Sequence, residues 1–349
     1  MNIKAFKYLS PITFYVLAFF SFTQTGLIVW GTLLYSFLLI PVTELLIQPN
    51  VKNMSKAEEE VVKKEVTYDY MLYCFVLLQY AALYLFLRSF QAESLTGWDV
   101  AGRVITMGLL CGIFGINVAH ELGHRNNAFE QTLAKALLLT SLYIHFFIEH
   151  NKGHHKNVAT PQDPSSARYN EPVYSFFCRT IFYSYLSAWH IANEEMQKRG
   201  LSIFNWKNEM IQAQVIQLLL VATIYFLFGS TVMLYFLLAA IIGILLLETV
   251  NYIEHYGLQR KETSPGKFER TLPHHSWNSN HLLGRLMLFE LSRHSDHHYL
   301  ASRKYQILQH HENAPQLPTG YPGSVILALV PPLWFYIMNR KIKGIKKEI

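Results

Sequence analysis

Apolar residues gather in long runs separated by short polar turns. The runs cover residues 9–23, 26–47, 69–90, 102–120, 211–228 and 231–252. A helix that crosses a bilayer needs about 20 mostly apolar residues, so the pattern predicts six spans. Only a polar turn near residues 24–26 separates the first two. Gly229 and Ser230 separate the last two, so each pair reads as a tight hairpin. Residues 48–68 are charged and predict a solvated loop carrying an amphipathic helix. Residues 324–338 are apolar but broken by Pro331 and Pro332, which points to an interfacial helix. The more polar stretches 121–210 and 253–349 are expected to pack as a helical cap on the bundle.

Composition supports a membrane protein. Of 349 residues, 51% are hydrophobic and only 15% charged, against about 25% charged in soluble domains. The fold class expected is an all-α integral membrane protein, with residues 1–349 forming one domain. Lys4 and Lys7 before the first apolar run resemble a signal peptide, but no small-x-small cleavage site follows. The first helix is therefore read as retained.

The net charge of +6 is unevenly placed. Lys4, Lys7, Lys52, Lys56, Lys63, Lys64 and the C-terminal Lys341, Lys343, Lys346 and Lys347 fall on one predicted side. The opposite loops, near 24–26, 91–100 and 229–230, carry no Lys or Arg. The positive-inside rule makes the basic side cytoplasmic, with both termini there. This distribution suits membrane headgroups and not nucleic acid. Cys74, Cys111 and Cys178 are far apart and form no CxxC pair, so no Cys₄ iron or zinc site can be built, and buried reduced thiols are expected.

Histidines carry the candidate chemistry. His120 and His124 lie in HELGH, and His150, His154 and His155 in EHNKGHH. His255 lies in NYIEHYG, and His294, His297 and His298 in RHSDHH. On a helix, His150 and His154 would share a face one turn apart. HELGH matches the HExxH zinc-protease signature, but a catalytic zinc takes only three protein ligands. Nine clustered imidazoles suit two ions with four or five ligands each. Imidazole alone does not select a metal. A bilayer-embedded site with no hydrolytic motif favours non-heme iron, which activates O₂ against unreactive C–H bonds.

Metal-bound histidines usually present their second nitrogen to an outer carboxylate or carbonyl. Glu121, Glu149, Asp163, Glu254 and Asp296 are the carboxylates in range, and His275, beside His274 and near His281, is a further candidate. His145, His190, His310 and His311 read as ordinary polar or packed residues. Asp163 and Arg168 read as a structural ion pair. Arg125, Lys152, Lys156, Arg293, Arg303 and Lys304 offer a basic face for an acidic partner. Residues 131–148 are apolar enough for a seventh crossing. A crossing there would put HELGH and EHNKGHH about 30 Å apart, so this segment is expected to be re-entrant or interfacial.

These blocks resemble the membrane-bound alkane 1-monooxygenase (alkane hydroxylase) family. The matching stretches are HELGH, EHNKGHHKNVATPQDPSSAR, NYIEHYGLQR, PHHSWNSNH, RHSDHH, RKYQIL and LPTGYPG, in order from about residue 105 onward. The resemblance implies a six-span bundle in the bacterial inner membrane, with a cytoplasm-facing di-iron centre held by the nine histidines. It implies O₂-dependent terminal hydroxylation of medium- to long-chain n-alkanes to primary alcohols. Electrons would come from a rubredoxin reduced by an NAD(P)H-dependent flavin reductase. A narrow apolar channel, lined from 26–47 and 69–90, would present the chain end first. Two alternatives remain: a membrane fatty-acyl desaturase or hydroxylase with the same metal logic, and a non-enzymatic metal carrier with ligands strung along a pathway.

Overall fold

The computed structural model describes residues 3–91 and 95–348. Residues 92–94 and the side chains of Lys4, Lys346 and Lys347, on which part of the charge asymmetry rests, lie outside the described residues. Five apolar helical runs are long enough to cross a bilayer: α1 (Ala5–Thr23), α2 (Gly26–Leu46), α4 (Thr67–Ser89), α5 (Gly97–Gly123) and α9 (Glu209–His255). Between them lie α3 (Lys56–Lys64), α6 (Ala128–Leu139), α7 (146–157) and α8 (Val173–Lys198). A small hairpin of β1 (Glu262–Ser264) and β2 (Lys267–Phe268) follows, then α10 (Leu282–Met287), α11 (His294–Tyr299), α12 (Tyr321–Ala328) and α13 (Pro331–Glu348).

The 47 residues of α9 are not one straight rod. Gly229 takes φ +86° and ψ 171°, a conformation open mainly to glycine, and breaks the helix there. Neighbouring groups show that the halves fold back. Tyr143 donates to Glu248 at 2.9 Å, and the amide of Ile144 donates to Gln217 at 2.9 Å. On a straight helix Gln217 and Glu248 would lie about 46 Å apart at ~1.5 Å per residue. Counted by halves, the apolar segments of spanning length number six. Their outer faces stay bare, with Leu46, Leu77 and Phe226 at 81%, 74% and 80% exposure. Apolar surface of that extent needs lipid against it.

The 131–148 segment does not form a span of its own. Helix α6 is only 12 residues long, about 18 Å, too short for the hydrocarbon core. At its end Thr140 accepts from Gln79 (3.3 Å), and its carbonyl lies 3.4 Å from the Cys111 thiol. Cys111 sits about 13 Å down α5 from His120 at helical rise. The chain therefore dips into the bundle and climbs back through α7 to His150. Helices α12 and α13 meet at 119° and form no single straight span. They enclose a second core of Tyr252, Tyr256, Trp277 and Trp334 with α8 and the end of α9.

Two expectations change. The 48–68 loop contains the amphipathic helix but is not free in solvent. Asn50 donates to the carbonyl of Asn280 at 2.9 Å, and Arg293 donates to the carbonyl of Lys52 at 3.0 Å. Of the three free thiols only Cys111 is buried. Cys74 and Cys178 are exposed because they fall on outward faces of their helices.

Candidate metal centre

The site forms where α5 and α9 cross. Gly108, Gly112 and Gly243 let the two backbones touch. A Cβ on Gly112 would meet the carbonyl of Gly243 at 3.0 Å, and one on Gly243 would meet Cys111 at 2.7 Å. Small residues permit this approach in membrane bundles. It brings the end of α5, with His120 and His124, beside the end of α9, with His255. Helix α7 and the short α11 supply the other six histidines.

The nine histidines separate into two groups. His120, His124, His150, His155 and His297 form one, and His154, His255, His294 and His298 the other. Within each, one ligand atom per residue lies within 4.8 Å of all the rest. The Nε2 atoms converge: His120–His124 at 3.3 Å, His150–His155 at 3.0 Å, His155–His297 at 3.1 Å and His255–His294 at 3.2 Å. Such spacings match the edge of a coordination shell with bonds near 2.0–2.2 Å. Nε2 of His154 and both ring nitrogens of His298 are buried without a partner. Orphaned lone pairs facing one point fit a metal ion.

The division differs from the helical-wheel expectation for EHNKGHH. His150–His154 forms a π turn, which closes i→i+5 bonds. Residues five apart then share a face. His150 joins His155, and His154 turns to the other group. In α11 regular spacing serves, with His294 and His298 on one side and His297 on the other.

Most of the imidazoles are held neutral, as ligation requires. Burial, then the neighbouring imidazoles, pushes His150, His155, His294, His297 and His298 well below the ordinary histidine value. His124 falls to about 3, through burial first and then His154 and Arg125. His154 goes the other way. Burial lowers it, but the charge and hydrogen bond of Asp163 outweigh that and leave it raised.

The proposed partners take varied positions. Asp163 holds Nδ1 of His154 at 2.9 Å and accepts from the Ser165 amide at 3.0 Å. It therefore serves the histidine and not Arg168, whose amide donates to Glu171. Glu254 lies 3.2 Å from Nε2 of His294. Glu149 is buried, and among the described residues its hydrogen-bond donor is Ser187, at 3.5 Å. Glu121 takes Arg125 and the amide of Tyr305. Asp296 accepts from Arg303, Gln309 and His311, bracing α11 from outside.

His275 sits with Glu269 and His274 in a third cluster. Its Nδ1 accepts the Leu272 amide at 3.0 Å, so Nε2 carries the proton and faces Glu269 at 3.3 Å. That is a satisfied pair, not a vacant ligand. The basic face is also largely tied up internally. Arg125, Lys152, Arg303 and Lys304 are ion-paired, and Arg293 is buried against backbone carbonyls. Lys156 makes no ion pair among the described residues.

An apolar cavity of about 90 Å³ ends on the histidines. His120, His150, His294 and Glu254 form its inner end. Its walls come from α2 (Ser36, Phe37, Ile40), α5 (Gly112, Ile113, Ile116), α9 (Leu246, Leu247, Val250) and residues 284–291 and 321–325. No residue of α4 lines it, contrary to the sequence expectation for 69–90, because α4 packs on α1 and α5 and presents its buried face there. The sequence reading missed Asn117, Asn251 and Tyr321 on this wall. The Gly-Tyr-Pro of LPTGYPG, which starts α12, was the available signal for Tyr321.

The sequence pattern of the fatty acid desaturase family matches residues 96–324. The chain is also similar to alkane 1-monooxygenase 1 of Pseudomonas aeruginosa, 44% identical over 250 residues, which are 71% of this chain and 65% of that protein. Alkane 1-monooxygenase of Pseudomonas putida is 37% identical over 303 residues, 87% of this chain and 75% of the relative. Alkane 1-monooxygenase 1 of Alcanivorax borkumensis is 34% identical over 329 residues, 94% and 81%. The chain thus spans from just under two thirds to about four fifths of these relatives.

Proposed function

This chain belongs to the alkane 1-monooxygenase family, within the wider fatty acid desaturase family, and on that footing we propose that it hydroxylates n-alkanes at the terminal carbon with O₂. The observation that carries this reading is the apolar cavity that ends on His120, His150 and His294, and so touches both groups of imidazoles. The nine histidines would hold two iron ions. Bound there, the iron pair would supply the redox chemistry that activates O₂ for insertion into a C–H bond. One oxygen atom goes to the alcohol, and the other leaves as water with two electrons and two protons.

The chain's own residues orient and exclude. The cavity has an apolar wall and in this reading takes a bare hydrocarbon, so that the methyl end meets the histidines first. Its wall carries no Lys or Arg to hold a charged headgroup. Asp163 fixes the ring of His154, and Tyr321 fixes Glu254 through a 2.8 Å hydrogen bond. Water is kept out by Phe14, Phe37, Phe146 and the leucines of α9.

The centre faces the cytoplasm of a bacterial inner membrane in this reading, at the end where Lys52, Lys56, Lys63 and Lys64 lie. Electrons arrive from a rubredoxin and its flavin reductase. The desaturase-family match supports an acyl chain as the second reading.

Gas chromatography separates the two. Cells expressing this chain with a rubredoxin and its reductase are fed mixed n-alkanes and a fatty acid under ¹⁸O₂. Labelled primary alcohols, absent from a His154→Ala control, are expected. Unchanged alkanes beside desaturated or hydroxylated acyl chains would overturn the alkane reading.

A further inference from the structure

Glu254 differs from the other carboxylates around the histidines. Asp163 approaches His154 from behind, on Nδ1, and leaves Nε2 to the site. That is how an outer partner steadies a metal-bound histidine. Glu254 instead meets the working nitrogen. Its Oε2 is 3.2 Å from Nε2 of His294, and that same nitrogen is 3.2 Å from Nε2 of His255. Nδ1 of His294 is buried with no partner, so the ring has no other polar engagement. The carboxyl is 1% exposed. One oxygen is anchored by the Tyr321 hydroxyl at 2.8 Å, which presents the other to the site. Glu254 is also the one carboxylate on the cavity wall.

A histidine that ligates through Nε2 has a lone pair there and no proton. A carboxylate oxygen facing that lone pair, away from water, is repelled and unpaired. A cation between the two removes both penalties. The 3.2 Å separation equals the histidine–histidine spacings within each group, as expected for two donors on one ion with bonds near 2.0–2.2 Å. The count is uneven too. One group has five imidazoles and the other four, and Glu254 reaches one of the four, His294, at 3.2 Å.

We infer that Glu254 supplies an oxygen ligand to the metal held by His154, His255, His294 and His298. The inference rests on the two-metal reading above. It makes the pair unequal, with five nitrogens on one ion and four nitrogens and an oxygen on the other. Tyr321 is then a positioning residue. It sets which way the carboxylate points and touches neither metal nor substrate.

The test is Mössbauer spectroscopy on full-length protein loaded with ⁵⁷Fe and reduced. Wild type, Glu254→Gln, Glu254→Ala and Tyr321→Phe are compared. Wild type should give two doublets of equal area. Both Glu254 variants should move one doublet and leave the other in place, and Tyr321→Phe should move the same doublet by less. One iron should leave to a chelator at least about tenfold more readily in the Glu254 variants. Two unmoved doublets, with both irons retained, would overturn the assignment. If Glu254→Ala does not fold, the Gln and Tyr321→Phe variants decide by the same criterion. A wild type that binds fewer than two irons would overturn the two-metal reading, and this inference with it.

Discussion

Most of the histidines are held as neutral rings, and in the proposed reading each commits one nitrogen to the site. His298 shows this most plainly, since both of its ring nitrogens are buried and unpartnered. His298→Ala should drop bound iron from two per chain to about one and cut hydroxylation more than about 100-fold, because loss of outer partners alone costs 10–100-fold. Full iron content by elemental analysis would refute the ligand assignment. Asp163→Asn removes a charge behind His154 and should weaken metal binding within that 10–100-fold range. Acid should strip the site. His124 titrates near 3 in the fold against about 6.5 unfolded, and the other depressed rings act in the same sense. Their contribution to stability is complete above about 6.5 and is lost as pH falls below it. His154, raised by Asp163, has the opposite sign, and one group does not offset six. The Tm followed from pH 7 to 5 should therefore fall steadily. A flat profile would contradict the neutral-imidazole picture.

At the level of elements, backbone geometry sorts the ligands. A regular α-turn at 150–154 would direct His150 and His154 to one ion, whereas the π turn directs them to different groups. The α5–α9 crossing is equally specific. Gly112→Val would drive a branched side chain into the carbonyl of Gly243 and into Leu246. Overpacking of this kind costs about 1–3 kcal/mol. A lower Tm with reduced iron content is expected for that variant in detergent. Gly97→Ala, where a Cβ meets nothing within 4 Å, should match wild type. Equal Tm values for the two would mean the crossing is looser than described.

At the scale of the molecule, the cavity and the membrane act together. In the proposed reading, alkane dissolved in the bilayer would reach the histidines through apolar walls without crossing water. Ile113 lies on that wall about 10 Å along α5 from His120 at helical rise. Ile113→Trp should fill the far end of the cavity and move the product spectrum toward shorter alcohols, read by chromatography of a mixed-alkane feed. An unchanged chain-length profile would place the substrate elsewhere. A green fluorescent protein fused to the C-terminus should fluoresce, and an alkaline phosphatase fusion should stay inactive, if α13 ends in the cytoplasm.

Sequence alone determined the apolar runs, the turn at Gly229 and the nine clustered histidines, because hydropathy and ligand chemistry are local properties of residues. The need for 131–148 not to cross also followed, since two ligand blocks cannot share a site from opposite faces. What only the tertiary structure decided is relational. Residues 150 and 154 part company because a π turn, invisible in the letters, changes which positions share a face. Asp163 serves His154 instead of Arg168 because the loop folds under α7. Four of the six basic residues expected to greet a partner are taken up in ion pairs within the chain, since charge count does not reveal distance. Residues 69–90 leave the channel to 284–291 and 321–325 because an apolar span looks the same facing lipid, core or cavity. Glu254 and Asp163 read alike in sequence, and they differ by which ring nitrogen each one meets in the folded chain.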